Sequence, residues 1–370
     1  MDKAYFSYEN FKKDDIRSVD AKFEAQKIAF APLSFQAVNV MLETGIMKII
    51  EDAGDSGIPA ADIAEKSGIS FYGVSVLCEM ALGMNVLKLS EDSNESCEKF
   101  VLGKIGWMLL EDDLTRVNFR FSNDICFQGS FKLEDSVRSG RPVGLKVFGE
   151  NWVTVYEALS SLPEKAKKSW FDFDHFYSDI AFPESLPIVF ADSPKTIVDI
   201  GGNTAKWSIA CCRYDTNVKM IIADLPGQTK VAAENAKKAG FEERISFCEG
   251  NILHDSTKLP ENADAFWMSQ FLDCFSLHQI TKIMKKIYVA ANKDTKVYVL
   301  EPLWDCQRFQ AAAYSLQATS LYFTCIANGN SKMYRFKELK DAVCAGGFEL
   351  ECAHHNIGSN SYSLLVFRKA

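Results

Sequence analysis

The run Thr196-Ile-Val-Asp-Ile-Gly-Gly-Asn-Thr204 constrains the fold of this chain more than any other. A β-branched strand ends in an acid and opens at once into a glycine turn, which lets the backbone approach a ligand closely. The next strand, Lys219–Ala223, leads into a second acid, Asp224, followed by Leu225 and Pro226. An acid at that strand tip is a partner for a ribose diol. Further strands are expected at 245–248, 264–268, 296–300, 348–353 and 362–367, alternating with helices until the last pair. This pattern predicts an α/β, Rossmann-like sheet of seven strands with a nucleoside-type ligand across the carboxyl ends. The short turn at 356–360 predicts a closing hairpin, hence one antiparallel edge strand.

The same residues narrow the ligand. A dinucleotide fingerprint needs second and third glycines that Gly201-Gly-Asn-Thr-Ala-Lys206 lacks, and no G-x-x-x-x-G-K-[ST] loop occurs. Asp199, just before the turn, suits positive charge better than phosphate. S-adenosylmethionine carries an ammonium and a sulfonium and no phosphate, so it is the expected cofactor.

Upstream of the sheet the chain is helical. Ala37, Val38, Met41, Leu42, Ile46, Ile49 and Ile50 recur at helical spacing. Residues 57–105 read as a winged helix. A short helix is stopped by Gly68, Ser70 caps the segment Phe71–Leu82, and strands at 86–89 and 100–102 form the wing. Phe71–Leu82 contains no lysine or arginine and the net charge is -8, so no nucleic-acid partner is expected. Residues 106–190 are helical and aromatic-rich, including Trp107, Phe131, Tyr156, Trp170 and Tyr177. Ser276 and Gln279 are spaced as a capping box for a helix burying Ile280, Ile283, Met284, Ile287 and Tyr288. The eleven cysteines never form C-x-x-C and the five histidines show no metal-ligand spacing, so no disulfide frame or metal site is expected. With no leader-like start and no long apolar run, the expectation is a cytoplasmic protein without a membrane partner.

Taken in order, these features resemble the small-molecule S-adenosylmethionine-dependent O-methyltransferases of the caffeate, hydroxyindole and polyketide type. The resemblance implies a helical winged-helix dimerisation domain (1–110), a helical linker and substrate-closing segment (111–190) and a catalytic domain (191–370) with its last strand antiparallel. It implies a homodimer acting on a small acceptor molecule. The family's D-V-G-G-G-T-G falls on Asp199, Ile200, Gly201, Gly202, Asn203, Thr204 and Ala205. Asparagine tolerates positive φ, and Ala205 adds only a methyl. The family's D-L-P is intact as Asp224-Leu225-Pro226, and its G-D-M-F appears as Gly250-Asn251-Ile252-Leu253. Asn251 is then expected at the adenine amino edge and Ile252 on the ring.

After the fourth strand the pattern changes. The family's K-W-x-x-H-D-W-S reads here as Ser269-Gln-Phe-Leu-Asp273-Cys-Phe-Ser276, so Asp273 stands where the family has its basic histidine and Ser269 joins the cofactor side. One bracketing glutamate remains as Glu301; Met333 replaces the other. An isolated aspartate, with a reference pKa of about 3.9, is a weak base toward a phenol near 10. Two desolvated carboxyls raise one another, so Asp273 beside Glu301 is the leading proton acceptor. Catalysis by proximity alone is the competing mechanism. His175, in the segment Asp172–Ser178 that the family closes over its ligands, is a further catalytic candidate or a packing residue. Tyr177 and Asp174 are expected near the cofactor's amino-acid end, and Asn328 and Asn330 in a turn. The functions weighed are O-methylation of an aromatic metabolite, N- or C-methylation on the same fold, and a non-catalytic cofactor-binding dimeric regulator.

Overall fold

The computed structural model describes residues 11–150 and 152–370. They form two compact units, residues 13–123 and residues 124–370, with residues 11 and 12 belonging to the second.

In the first unit, helices Ser18–Ala29, Ala31–Glu43, Ile46–Asp52, Ala60–Ser67 and Phe71–Gly83 precede a hairpin of strands β1 (Leu87–Leu89) and β2 (Phe100–Leu102). Gly68 takes a left-handed conformation that ends the fourth helix, and Ser70 Oγ accepts from the amide of Gly73 to start the fifth. These are the local signals read from the sequence. The core of this unit is Met41, Ile46, Met47, Ile50, Ile63, Val74, Cys78 and Leu87. The winged helix is therefore held by one apolar cluster. Phe71, Tyr72 and Val76 stay exposed on the helix that a DNA-binding protein would use for recognition. Among the described residues, no single helix is long and apolar enough to cross a membrane.

The second unit carries a seven-stranded sheet. Its strands are β3 (Thr196–Ile200), β4 (Lys219–Asp224), β5 (Ile245–Glu249), β6 (Ala265–Ser269), β7 (Lys296–Glu301), β8 (Phe348–Ile357) and β9 (Tyr362–Lys369). They lie in the order β5-β4-β3-β6-β7-β9-β8. Strands β3 to β7 are parallel, and the near-continuous apolar runs of β3, β6 and β7 follow from burial on both faces. Val198, Ile200, Phe266, Met268, Val297 and Val299 line one face and pack on Ile280, Ile283, Met284 and Ile287 of helix Leu277–Ala290. Each such burial contributes about 1.5–3 kcal/mol. The capping box of Ser276 and Gln279 starts that helix. Tyr288 is only half-buried, unlike the sequence expectation. It stands edge-on to Phe348 at 5.7 Å, with Lys369 Nζ 4.1 Å from its ring centre.

The closing hairpin also corrects an expectation. β9 is the antiparallel strand, but it inserts between β7 and β8. The edge is β8, so the antiparallel strand is interior. The hairpin turn alone is silent on which of its arms pairs with β7. Fully buried Tyr362, Ser363, Leu364 and Leu365 fit the interior position, whereas β8 exposes Glu349, Glu351 and Cys352.

Moving outward from β3, the chain runs to β4 and β5 on one side and to β6 and β7 on the other. The reversal between β3 and β6 opens a crevice at their carboxyl ends. Residues 199–206 and 269–273 converge there.

Candidate active site

The turn after β3 holds three residues at positive φ: Gly201 at 73°, Asn203 at 46° and Ala205 at 68°. Gly201 donates its amide to Ala223 O at 2.9 Å, which ties the turn to β4. A Cβ on Gly202 would lie 2.8 Å from Asp199 Oδ2, and one on Gly201 would lie 2.2 Å from Phe271 Cδ2. Both glycines are thus demanded by space. Asn203 accepts its conformation readily, as expected. Ala205 does not: a left-handed alanine costs about 1–2 kcal/mol, so the change from glycine is more than an added methyl. Ala205→Gly is expected to raise the unfolding free energy by about 0.5–1 kcal/mol, after the greater flexibility of glycine in the unfolded chain is subtracted. Denaturant titration checks this; an unchanged or lower midpoint at constant slope counts against strain at Ala205.

Alternation along β3 sends Asp199 to the face opposite Val198 and Ile200. There the hydroxyl of Ser208, on helix Lys206–Tyr214, donates to Asp199 Oδ2 at 2.6 Å. Burial pushes the Asp199 carboxyl up to about 7, the charge of Asp224 adding to the effect and Ser208 opposing it. Asp224 Oδ1 accepts from the amide of Leu225 at 2.7 Å and Oδ2 from that of Asn203 at 2.9 Å. Each oxygen keeps a lone pair for a diol. Burial raises this carboxyl too, and the two amides hold it down. At the end of β5, Asn251 Oδ1 accepts from Leu253 N at 2.9 Å, and Ile252 packs half-buried on the core.

Helix Glu164–Ser178 brings Asp174 and His175 to the crevice. Asn203 Nδ2 donates to Asp174 Oδ2 at 3.3 Å, and Lys206 pairs with Asp179. Burial, with the charge of Asp179, pushes Asp174 up to about 6. His175 stacks on Phe171 at 5.9 Å, its Nδ1 is 4.0 Å from Asp174 Oδ2, and burial lowers its pKa. The ring is therefore neutral at pH 7. Tyr177 is buried against Phe173, with ring centres 4.8 Å apart.

The crevice is partly open to solvent. Asp199, Gly201, Gly202, Asn203, Ser269 and His175 line it, all anticipated from the sequence. Asp224 joins it through the Asn203 amide. Leu225, Asn251 and Ile252 follow the ends of the neighbouring strands β4 and β5. Sequence reasoning missed Gln270, Phe182, Lys206 and the stacked pair Trp207–Trp267, whose ring centres are 3.8 Å apart. Gln270 follows the end of β6, a position the strand-end rule already marks. The tryptophan stack joins residues 60 apart and leaves no local signal. Asn203 Oδ1, Ser269 Oγ and Gln270 Nε2 are buried there without a hydrogen-bond partner. Unpaired polar atoms beside three raised carboxyls fit a polar ligand that carries positive charge, as S-adenosylmethionine does.

One strand further, Glu301 ends β7. Its Oε1 accepts from the amides of Phe271 at 3.0 Å and Leu272 at 2.8 Å, which fixes the single turn Leu272–Cys274. From the other side, Asn328 Nδ2 donates to Cys274 O at 3.0 Å. Asn328 Oδ1 accepts from the amides of Asn330 and Ser331, so this segment is a turn, as expected. Asp273 rides on the clamped turn and is 5% exposed. Burial, with the charge of Asp174, pushes its carboxyl up to about 7. Burial and Asp273 together hold Glu301 well above the usual carboxylate range. Glu301 Oε2 is buried without a partner, and Met333 is buried as well. Trp170 Nε1 donates to Tyr322 at 2.7 Å, and charge on Asp273 and Cys274 acts on Tyr156. The arrangement is a buried carboxyl pair beside a phenol, with both carboxyls raised by burial.

Residues 131–349 match the model of the O-methyltransferase domain, and residues 22–94 match that of a dimerisation2-like domain. The L-tyrosine C(3)-methyltransferase of Streptomyces lavendulae is 20% identical over 326 residues, covering 88% of this chain and 86% of its own length. The phenazine-1-carboxylate N-methyltransferase of Pseudomonas aeruginosa is 23% identical over 217 residues, 55% of this chain and 62% of its own. The solved structure of the mitomycin 7-O-methyltransferase MmcR has the same fold, with a TM-score of 0.69 and 18% identity over 95% of this chain and 98% of its own.

Proposed function

The chain belongs to the O-methyltransferase domain family, S-adenosylmethionine-dependent methyltransferases of small molecules, and from that premise we propose that it methylates a hydroxyl of an aromatic metabolite with Asp273 as proton acceptor. The observation that carries the proposal is the buried carboxyl pair of Asp273, on the turn that follows β6, and Glu301, at the end of β7. When bound, the cofactor supplies a sulfonium-activated methyl group for in-line displacement. In this reading Asp224 holds the ribose hydroxyls, Asn251 the adenine edge with Ile252 against the ring, and Asp199 the charged end. Gly201 and Gly202 let the backbone come close. Ser269 and Leu225 flank the nucleoside, and Tyr177 packs near the amino-acid end. Asp273 takes the proton of the acceptor hydroxyl as the new bond forms. Glu301 positions it by holding the amides of residues 271 and 272 and by keeping one proton in the pair. Neutral His175 is the second candidate for the proton.

N- or C-methylation is the competing reading. It is favoured by the activities of two relatives, a C(3)- and an N-methyltransferase, and by the missing basic histidine. Assembly as a homodimer rests on the match over residues 22–94 and on exposed Val19, Ile28 and Leu33 along the first two helices.

Calorimetric titration with S-adenosylmethionine and S-adenosylhomocysteine tests the cofactor assignment. Micromolar binding is expected, and Asp224→Ala is expected to weaken it at least about tenfold, since hydrogen bonds to a charged group contribute about 1.5–3 kcal/mol. Equal binding by the variant removes Asp224 from the ribose. Screening hydroxyl, amine and activated-carbon acceptors of one aromatic scaffold then separates O- from N- and C-transfer.

A further inference from the structure

Asn203 occupies a position where the resembling family carries glycine, and its side chain has a defined place. Its backbone amide donates to Asp224, and its Nδ2 donates to Asp174 on helix Glu164–Ser178. A carboxylate only accepts, so Asp174 fixes which way the amide points. The other end, Oδ1, is then left buried with no donor, which is destabilising until one arrives. Asp174, Asp179 and Asp199 surround this part of the crevice. Its cation, Lys206, is engaged by Asp179. A ligand group placed there must donate hydrogen bonds and is favoured by positive charge. An ammonium meets both conditions.

We propose that the Asn203 side chain is an added cofactor contact. Oδ1 accepts from the α-ammonium of the S-adenosylmethionine amino-acid end, and Nδ2, anchored by Asp174, joins the turn after β3 to the helix above it. Glycine at this position supplies neither contact. The assignment rests on the methyltransferase reading and says which end of the cofactor this chain holds differently.

Calorimetry on the full chain tests it with two probes. S-adenosylhomocysteine has the amino-acid end; 5′-methylthioadenosine has the same nucleoside and thioether without it. Asn203→Gly restores the family residue and tolerates the positive φ, so the protein is expected to fold, with an unliganded melting temperature no lower than that of the wild type. It is nevertheless expected to bind S-adenosylhomocysteine about tenfold more weakly, with 5′-methylthioadenosine changed by less than about twofold. Asp174→Ala is expected to weaken the first probe by a smaller factor and to spare the second. Wild-type affinity of Asn203→Gly for S-adenosylhomocysteine overturns the proposal, and so does an equal loss for both probes. Failure of the wild type to bind either probe instead overturns the methyltransferase reading, and this assignment with it.

Discussion

Asp273→Asn lowers turnover of a hydroxyl acceptor by about 10²-fold or more and leaves cofactor affinity within error. Asparagine keeps the volume and the turn and removes the ability to take a proton. The wild-type pH profile reads the same group. Burial raises the Asp273 carboxyl to about 7. A base works only when deprotonated, so kcat/KM is expected to climb as pH rises through neutrality and to level off above it. In Asp273→Asn that inflection disappears. The methyl group leaves a good leaving group, so positioning alone supplies much of any methyl transfer. A near-normal rate in Asp273→Asn therefore sinks the base assignment. A profile that retains its inflection moves the proton to His175, with His175→Gln as the next variant.

Gly201→Val destabilises the protein by about 3 kcal/mol or more and abolishes cofactor binding. Two effects combine. A β-branched residue at φ 73° is strongly strained. Its Cβ would also stand 2.2 Å from Phe271 Cδ2, a ring atom rather than a flexible tip. Phe271 packs against Phe275 at 4.9 Å, and its amide donates to Glu301, so displacing it disturbs the turn that carries Asp273. Chemical denaturation and calorimetry check both parts. A midpoint within about 0.5 kcal/mol of wild type means the ring swings aside and the turn is looser than its geometry indicates.

The local features of this molecule are legible in its sequence. β3, the two strand-end acids, the capping box at Ser276 and the glycine stop at Gly68 are each set by neighbours a few residues away. The place of Asp273 follows by counting back from a helix whose start is marked, and Glu301 lies near it because adjacent parallel strands end together. What stays hidden depends on long-range geometry. Asn203 reaches Asp174, 29 residues earlier. Trp207 stacks on Trp267 across the helix–sheet interface. The strain at Ala205 is visible only once its φ is known. The interior position of β9 depends on pairing Lys296 with Arg368, a choice that the hairpin itself does not make.

That interior strand bears on how the protein is made. β3 to β7 emerge from the ribosome in sequence order, but the strand that covers β7 is the last of the seven to emerge. Until Lys369 has emerged, β7 presents an unpaired, apolar edge, and the helix Phe336–Cys344 packs beside an incomplete sheet. The catalytic unit thus completes its core only when β9 has paired with β7. A chain stalled before β9 exposes an adhesive edge.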